Sequence, residues 1–246
     1  MDGLRGYSKK VRLDTGILLN ISTVSTYVFC PFKVFLQNYL GLREEVGLIP
    51  ETGKVVHEYY TGLSVLLYEH LKAGKSLLKT LVDEYTETFL EKTPRDVRER
   101  VEEDLFRIAE FRLKQPFMET PVRREVYLSS RKLSLRGSID LLEGIYPVEV
   151  KYRERIIEGD LIQLALYTLL LEETYRRDID YGAIDLLKAC KRVKVKVDSK
   201  LRVRALHARE KVLEATLAGQ VEKLKEKRRR GCKYCGLRET CRLITA

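Results

Sequence analysis

LRGSIDLLEGIYPVEVKYRE, residues 135–154, is the stretch that decides the fold. Two runs rich in apolar residues flank Glu143-Gly144, a pair suited to a tight turn, so the segment reads as a β-hairpin. Antiparallel pairing then brings Asp140 close to the Glu149 end of the neighbouring strand. Because side chains alternate along a strand, Glu149 and Lys151 share one face while Val148 and Val150 take the buried one. Two carboxylates and an ammonium converge on one small volume. Hard cations such as magnesium take oxygen ligands, commonly one or two carboxylates plus substrate phosphate. A lysine beside such an ion orients or helps deprotonate an attacking water and offsets charge on a phosphate. A strand alternating Glu and Lys is more often a plain solvated face. Asp140, however, sits between Ile139 and Leu141-Leu142, an unfavourable place for a carboxylate with nothing to bind.

The remainder of the chain surrounds this hairpin with helices. A helix is expected over 18–40, with Ser22, Thr23 and Ser25 as N-cap candidates and Gly41 ending it. Further helices are expected over 51–71, 76–91 and 95–115, the last with Val101, Leu105, Ile108, Phe111 and Leu113 as its buried stripe. From Pro121 the texture turns to strands: REVYLSS, KLSLRGSIDLL and YPVEVKY. An apolar helix over 159–175 follows, then strands near 181–187 and 192–198 and a last helix over 203–227. The VKVKV run, with Lys194 and Lys196 outward, suits an edge strand protected by charge. The expected class is α/β, a mixed central sheet flanked by helices in one domain over 1–246. Within it, 18–120 is helical, 121–200 is the sheet core with the site, and 201–246 is a helix and cysteine-rich tail.

Composition bounds the partners. The 246 residues are 44% hydrophobic, enough for a substantial core, and the formal charge of +10 favours an anionic partner such as nucleic acid. No run approaches the roughly 18 apolar residues of a membrane span, and MDGLRGYSKKVRLD lacks the apolar centre of a signal peptide, so a cytoplasmic protein is expected. Charged residues reach 33%, while Asn is confined to Asn20 and Asn38, a bias matching proteins of hot environments. No G-x-x-x-x-G-K-[ST] segment is present, which argues against an ATP motor.

The tail RRRGCKYCGLRETCRL places Cys232, Cys235 and Cys241 at C-x2-C-x5-C spacing. Three neighbouring thiolates cannot all pair with each other, and zinc or an iron-sulfur cluster asks for four ligands. The fourth is Cys30 or Cys190. Cys30 is favoured because Pro31 can open a helix at its first position, leaving the sulfur at a chain reversal. Such a centre closes a loop of about 200 residues and restrains the unfolded chain. Spacing alone does not separate zinc from iron, nor a structural clip from a functional centre.

Three further residues belong with the hairpin. His57 falls on the second helix, where a lone histidine is more often a surface or core residue than a ligand. Gln163 and Tyr167, at i and i+4 on the apolar helix, point the same way. A glutamine amid Leu and Ala needs a partner, either a buried hydrogen bond, a hold on Lys151, or the substrate backbone.

Together, His57, G-S-I-D at 137–140, E-V-K at 149–151 and Q-L-A-L-Y at 163–167 resemble the motif series of RecB-type nucleases of the PD-(D/E)XK superfamily. One cysteine near the N-terminus and three near the C-terminus narrow the resemblance to the CRISPR-associated exonucleases of the Cas-four family. It runs from Cys30 to Cys241. The resemblance implies a restriction-endonuclease-like fold, with manganese or magnesium held by His57, Asp140, Glu149 and the carbonyl of Val150. It also implies Lys151 assisting the water, and Gln163 and Tyr167 supporting the site or the strand. Cys30, Cys232, Cys235 and Cys241 are implied to hold a 4Fe-4S cluster, 2Fe-2S in some members. The implied activity is DNA exonuclease action on single strands or frayed ends, trimming prespacers with the CRISPR integrase proteins; toroidal homo-oligomers occur among relatives, and endonuclease activity stays open. Tyr59, Tyr60 and Tyr152 are expected to stack unpaired bases. The alternatives are a stand-alone repair exonuclease and a non-catalytic iron-sulfur subunit that binds DNA.

Overall fold

The computed structural model describes residues 13–44, 48–76, 78–217, 224–225, 232 and 235–245. Its centre is a six-stranded mixed sheet formed by β1 (Leu19–Asn20), β2 (Val122–Ser130), β3 (Leu135–Glu143), β4 (Tyr146–Lys151), β5 (Tyr181–Leu186) and β6 (Lys191–Lys196). The order is β1-β3-β4-β5-β6, and β2 runs antiparallel along β3. The expected hairpin is present: Glu143 pairs with Tyr146 across a turn in which Gly144 adopts φ 63°, a conformation that favours glycine. β4 and β5 are parallel, joined through the long crossover helix α6 (Glu158–Tyr175).

Helices cover both faces. On one lie α3 (Leu48–Lys72), α4 (Leu78–Lys92) and α5 (Arg95–Lys114), whose Val56, Leu63, Val101 and Leu105 pack on Leu141, Val148 and Val150. On the other lie α1 (Ile21–Phe29), α6 and α7 (Ser199–Leu217), packed on Leu135, Ile139 and Leu142. α6 is apolar on every side because it is sandwiched between the sheet and α1 and α7. Its Leu166, Leu169 and Leu170 are fully buried, each stabilising the fold by about 1.5–3 kcal/mol.

Three expectations are corrected. The single helix over 18–40 is two, α1 and α2 (Pro31–Asn38), because Cys30 adopts an extended conformation (φ −161°, ψ 114°) and Pro31 starts a new helix. The N-cap is Asn20, and Ser25 instead donates a hydrogen bond to the carbonyl of Gly159 on α6. The last long helix begins at Ser199; residues 218–223 and 226–227 of the expected span, and the basic run 228–230, lie outside the described residues. Unforeseen were the two-residue β1, parallel to β3, and α8 (Arg238–Thr245) in the tail. β6 is the expected edge strand, with Lys191, Lys194 and Lys196 exposed. Among the described residues no helix is long and apolar enough to cross a membrane.

Candidate active site

A notch opens where β4 leaves β3. Their pairing ends at Leu141 and Val148, while β1 pairs only with Leu135 and Arg136, so among the described residues no strand covers 137–140 on that side. Asp140 fills the break: its Oδ2 accepts a hydrogen bond from the Val150 amide at 2.8 Å in place of a ladder bond. The N–H and C=O of a strand residue point to the same side, so the Val150 carbonyl faces the notch as well.

The sheet also changes face here. Leu135 and Ile139 pack on the α6 side, yet Leu141, two residues on, packs under α3–α5; on β2, Val126 and Leu128 pack on the α6 side and Val122 on the other. The switch falls at the Glu125–Asp140 position, which is missing from an otherwise continuous β2–β3 register and where Glu125 has φ 51°. A local kink of this kind re-aims a side chain. Asp140 keeps the face of Arg136 and Ser138 while Leu141 crosses to that face, so the carboxylate stands at the junction.

The expected trio and His57 come together. His57 Nε2 lies 3.1 Å from Asp140 Oδ1, and Lys151 Nζ 2.5 Å from Glu149 Oε1. Glu149 is buried, and despite that ion contact neither of its oxygens accepts an aligned hydrogen bond. Burial, reinforced by the Asp140 charge, pushes its carboxyl up to about 8 against the pull of Lys151. For Lys151 burial works to lower the pKa, but the Glu149 and Asp140 carboxylates outweigh it and raise it, so the amine stays charged. His57 is raised in the same way: burial opposes its charged form, while the hydrogen bond to Asp140 and the two carboxylate charges favour it.

α6 braces the notch from the opposite face. Lys151 Nζ reaches Gln163 Oε1 at 3.5 Å, Gln163 Nε2 donates to the Tyr167 hydroxyl at 3.3 Å, and Tyr167 donates to the Ser138 carbonyl at 2.6 Å. The chain of bonds ties β4 to β3 where the ladder has opened. It also explains the glycine of G-S-I-D: a Cβ on Gly137 would stand 2.8 Å from the Tyr167 ring. The N-terminus of α6 is held by Asp160, whose carboxylate accepts from the Ile157 amide and from Arg153. Sequence reading passed over Arg153, Asp160 and the Ser138 carbonyl; the acidic E-G-D run at 158–160 opening α6, with Asp160 at its third position, was the available signal.

Among the described residues, no three His, Cys, Asp or Glu side chains stand in a ready-made ligand cluster. In the notch both oxygens of Asp140 are engaged, one by His57 and one by the Val150 amide. Glu149 is different. A buried carboxylate without aligned donors, beside a second carboxylate and an imidazole, fits a hard divalent cation in donor chemistry.

The cysteines gather elsewhere. Cys30, Cys235 and Cys241 pack around Phe32, Leu36 and Leu237, and the Cys235 amide donates to the Cys232 carbonyl at 3.2 Å. Sulfur is the donor a thiolate-bound metal centre asks for, but among the described residues these cysteines do not stand in ligand geometry. Cys190 stands apart after β5, its Sγ against the carbonyls of Leu187 and Arg107. Two of the expected stacking residues are not available to a base: Tyr59 and Tyr60 are fully buried, bonded to Thr86 and Asp185. Tyr152 is half-buried, with Lys188 over its ring and its hydroxyl on Asp104.

The family model described as the PD-(D/E)XK nuclease superfamily matches residues 19–242, and the chain belongs to that superfamily. No curated protein matches the chain.

Proposed function

We propose that this member of the PD-(D/E)XK nuclease superfamily is a metal-dependent DNA exonuclease of the Cas-four type, acting on single strands or frayed ends and trimming prespacers beside the CRISPR integrase. The observation that carries the nuclease reading is the notch itself: Asp140, Glu149, His57 and Lys151 meet where β3 and β4 part. His57, Asp140, Glu149 and the Val150 carbonyl would hold manganese or magnesium. Bound there, the ion would polarise a phosphoryl oxygen and lower the pKa of a water. Lys151, kept charged by its carboxylate neighbours, orients the water and offsets charge developing on the phosphate. Gln163 and Tyr167 hold Lys151 and the Ser138 segment in place.

The narrower assignment leans on the cysteines. Cys30, Cys235 and Cys241 share one apolar cluster although they come from the two ends of the chain, and Cys232 is one hydrogen bond away. They would hold a 4Fe-4S or 2Fe-2S cluster whose part is to tie the tail to the α1–α2 junction. The net charge of +10 suits a phosphate backbone bound without sequence preference.

The test is end-labelled single-stranded DNA with manganese and the brown, cluster-bearing protein. Lys151→Ala is expected to lower the cleavage rate by about 10²–10³-fold. Equal degradation by wild type and Lys151→Ala contradicts the assignment, and a colourless zinc protein contradicts the Cas-four reading while leaving the nuclease intact. Salt-sensitive DNA binding without cleavage points to a non-catalytic subunit, and cleavage unaffected by the integrase points to a repair enzyme.

A further inference from the structure

Among the described residues, the sheet has an open face beyond the kink at Asp140. Along β3, Arg136 and Ser138 are exposed at alternate positions and Asp140 is the next of that series. On β2, Tyr127 and Ser129 stand directly across from Ser138 and Arg136 and are exposed too. The intervening Val126, Leu128, Leu135 and Ile139 point the other way, into the core beneath α6. The face switch explains why this strip is bare: α3–α5 cover the apolar side of the sheet only past Glu125 and Asp140.

Tyr127 is 61% exposed, more than any other aromatic residue described. It lies opposite Ser138, and two residues along β3, roughly 7 Å, is Asp140. The small Ser138 leaves the ring face uncovered. Arg136 Nε is fixed on Asn20 Oδ1 at 2.8 Å, so its remaining guanidinium N–H groups are presented outward. Arg124, exposed on β2 with Tyr127, lies toward Gly62 of α3 on the far flank. An exposed aromatic between two arginines, on a rigid sheet beside the reacting centre, offers stacking to a base and charge to its phosphates.

We infer that Tyr127 stacks an unpaired nucleobase next to the scissile phosphate, with Arg136 pairing the adjoining phosphate, and so selects single-stranded over duplex ends. The inference rests on the nuclease reading for its substrate. A base held in a duplex is already stacked on its neighbours and cannot lie flat on this ring. The strip therefore sets KM and strand preference, while the notch sets the rate.

The test measures fluorescence anisotropy of a single-stranded oligonucleotide in EDTA, and KM and kcat for its cleavage with manganese. Wild type is compared with Tyr127→Ala, Tyr127→Phe and Arg136→Ala on an intact oligonucleotide and on a matched set carrying one abasic residue at successive positions from the end. Tyr127→Ala is expected to weaken binding and raise KM about 5- to 100-fold with kcat within twofold, while Tyr127→Phe stays near wild type. One abasic position should weaken wild type to the same degree and leave Tyr127→Ala unchanged. Wild-type binding by Tyr127→Ala, or an abasic penalty that survives in that variant, overturns the inference. If wild type binds but does not cleave, the nuclease reading fails and the anisotropy ratio still decides the stacking role.

Discussion

Two buried ionic clusters of this protein teach by contrast. Between α3, α5 and the β3–β6 strands, Glu143 accepts from Arg112, from both terminal nitrogens of Arg192 and from the Met118 amide. Asp185 accepts from Arg192 twice and from the Tyr60 hydroxyl. Every carboxylate oxygen there has a donor, and the cluster touches no solvent-open cleft: Glu143 and Asp185 are fully buried. In the notch, by contrast, Glu149 is as deeply buried and accepts no aligned hydrogen bond. A buried charge with a donor on every oxygen fixes the packing of helices on a sheet, whereas Glu149, with the Lys151 ammonium as its one neighbouring cation, keeps lone pairs for a further one.

The contrast can be broken most forcefully at Arg192. Arg192→Leu leaves Asp185 buried with no cation and only the Tyr60 hydroxyl, and Glu143 with Arg112 and Met118, and is expected to cost about 3–5 kcal/mol, read as a lower denaturant midpoint. A midpoint near wild type would show that the network is not structural. Tyr167→Phe removes the donor to the Ser138 carbonyl and is expected to slow cleavage roughly tenfold with a small change in melting temperature. A large loss of stability with normal turnover in the surviving protein would make Tyr167 a packing residue only.

A third effect moves with pH. Glu149 holds its proton more tightly in the folded state, where the carboxyl rises to about 8, than in the unfolded chain. Its contribution to stability is therefore full below the ordinary carboxyl range and is lost as pH rises toward 8. In EDTA, Glu149→Gln should melt above wild type at pH 8 and close to it at pH 4.5. A difference independent of pH, or of opposite sign, would show that the burial of Glu149 carries no electrostatic cost.

Much of this was legible in the sequence because hydrophobic alternation and turn chemistry are local. The β3–β4 hairpin, the helices around it and the spacing of Gln163 and Tyr167 follow from periods of 2 and 3.6. The break at Cys30 was half-legible: Pro31 marks a helix start, yet the apolar periodicity runs on through it. The face switch was not legible, since strict alternation puts Ile139 and Leu141 on one face and only the strand pairing at Glu125 shows otherwise. Nor was the Arg192 network, because a basic residue on an edge strand reads as solvated until Glu143 and Asp185 are seen beside it. Tyr59 and Tyr60 misled for the same reason: their polar tips suggested surface, and Thr86 and Asp185 satisfy them inside.

The central claim is that the buried Glu149 carboxylate, paired with Lys151 alone, makes the notch a divalent-cation site. Calorimetric titration of manganese into wild type, Asp140→Asn and Glu149→Gln, each with its fold checked by circular dichroism, tests it directly. Tight binding by wild type with release of protons at pH 7, weakened at least tenfold in both variants, is the predicted result. Undiminished manganese affinity in folded Glu149→Gln would contradict it.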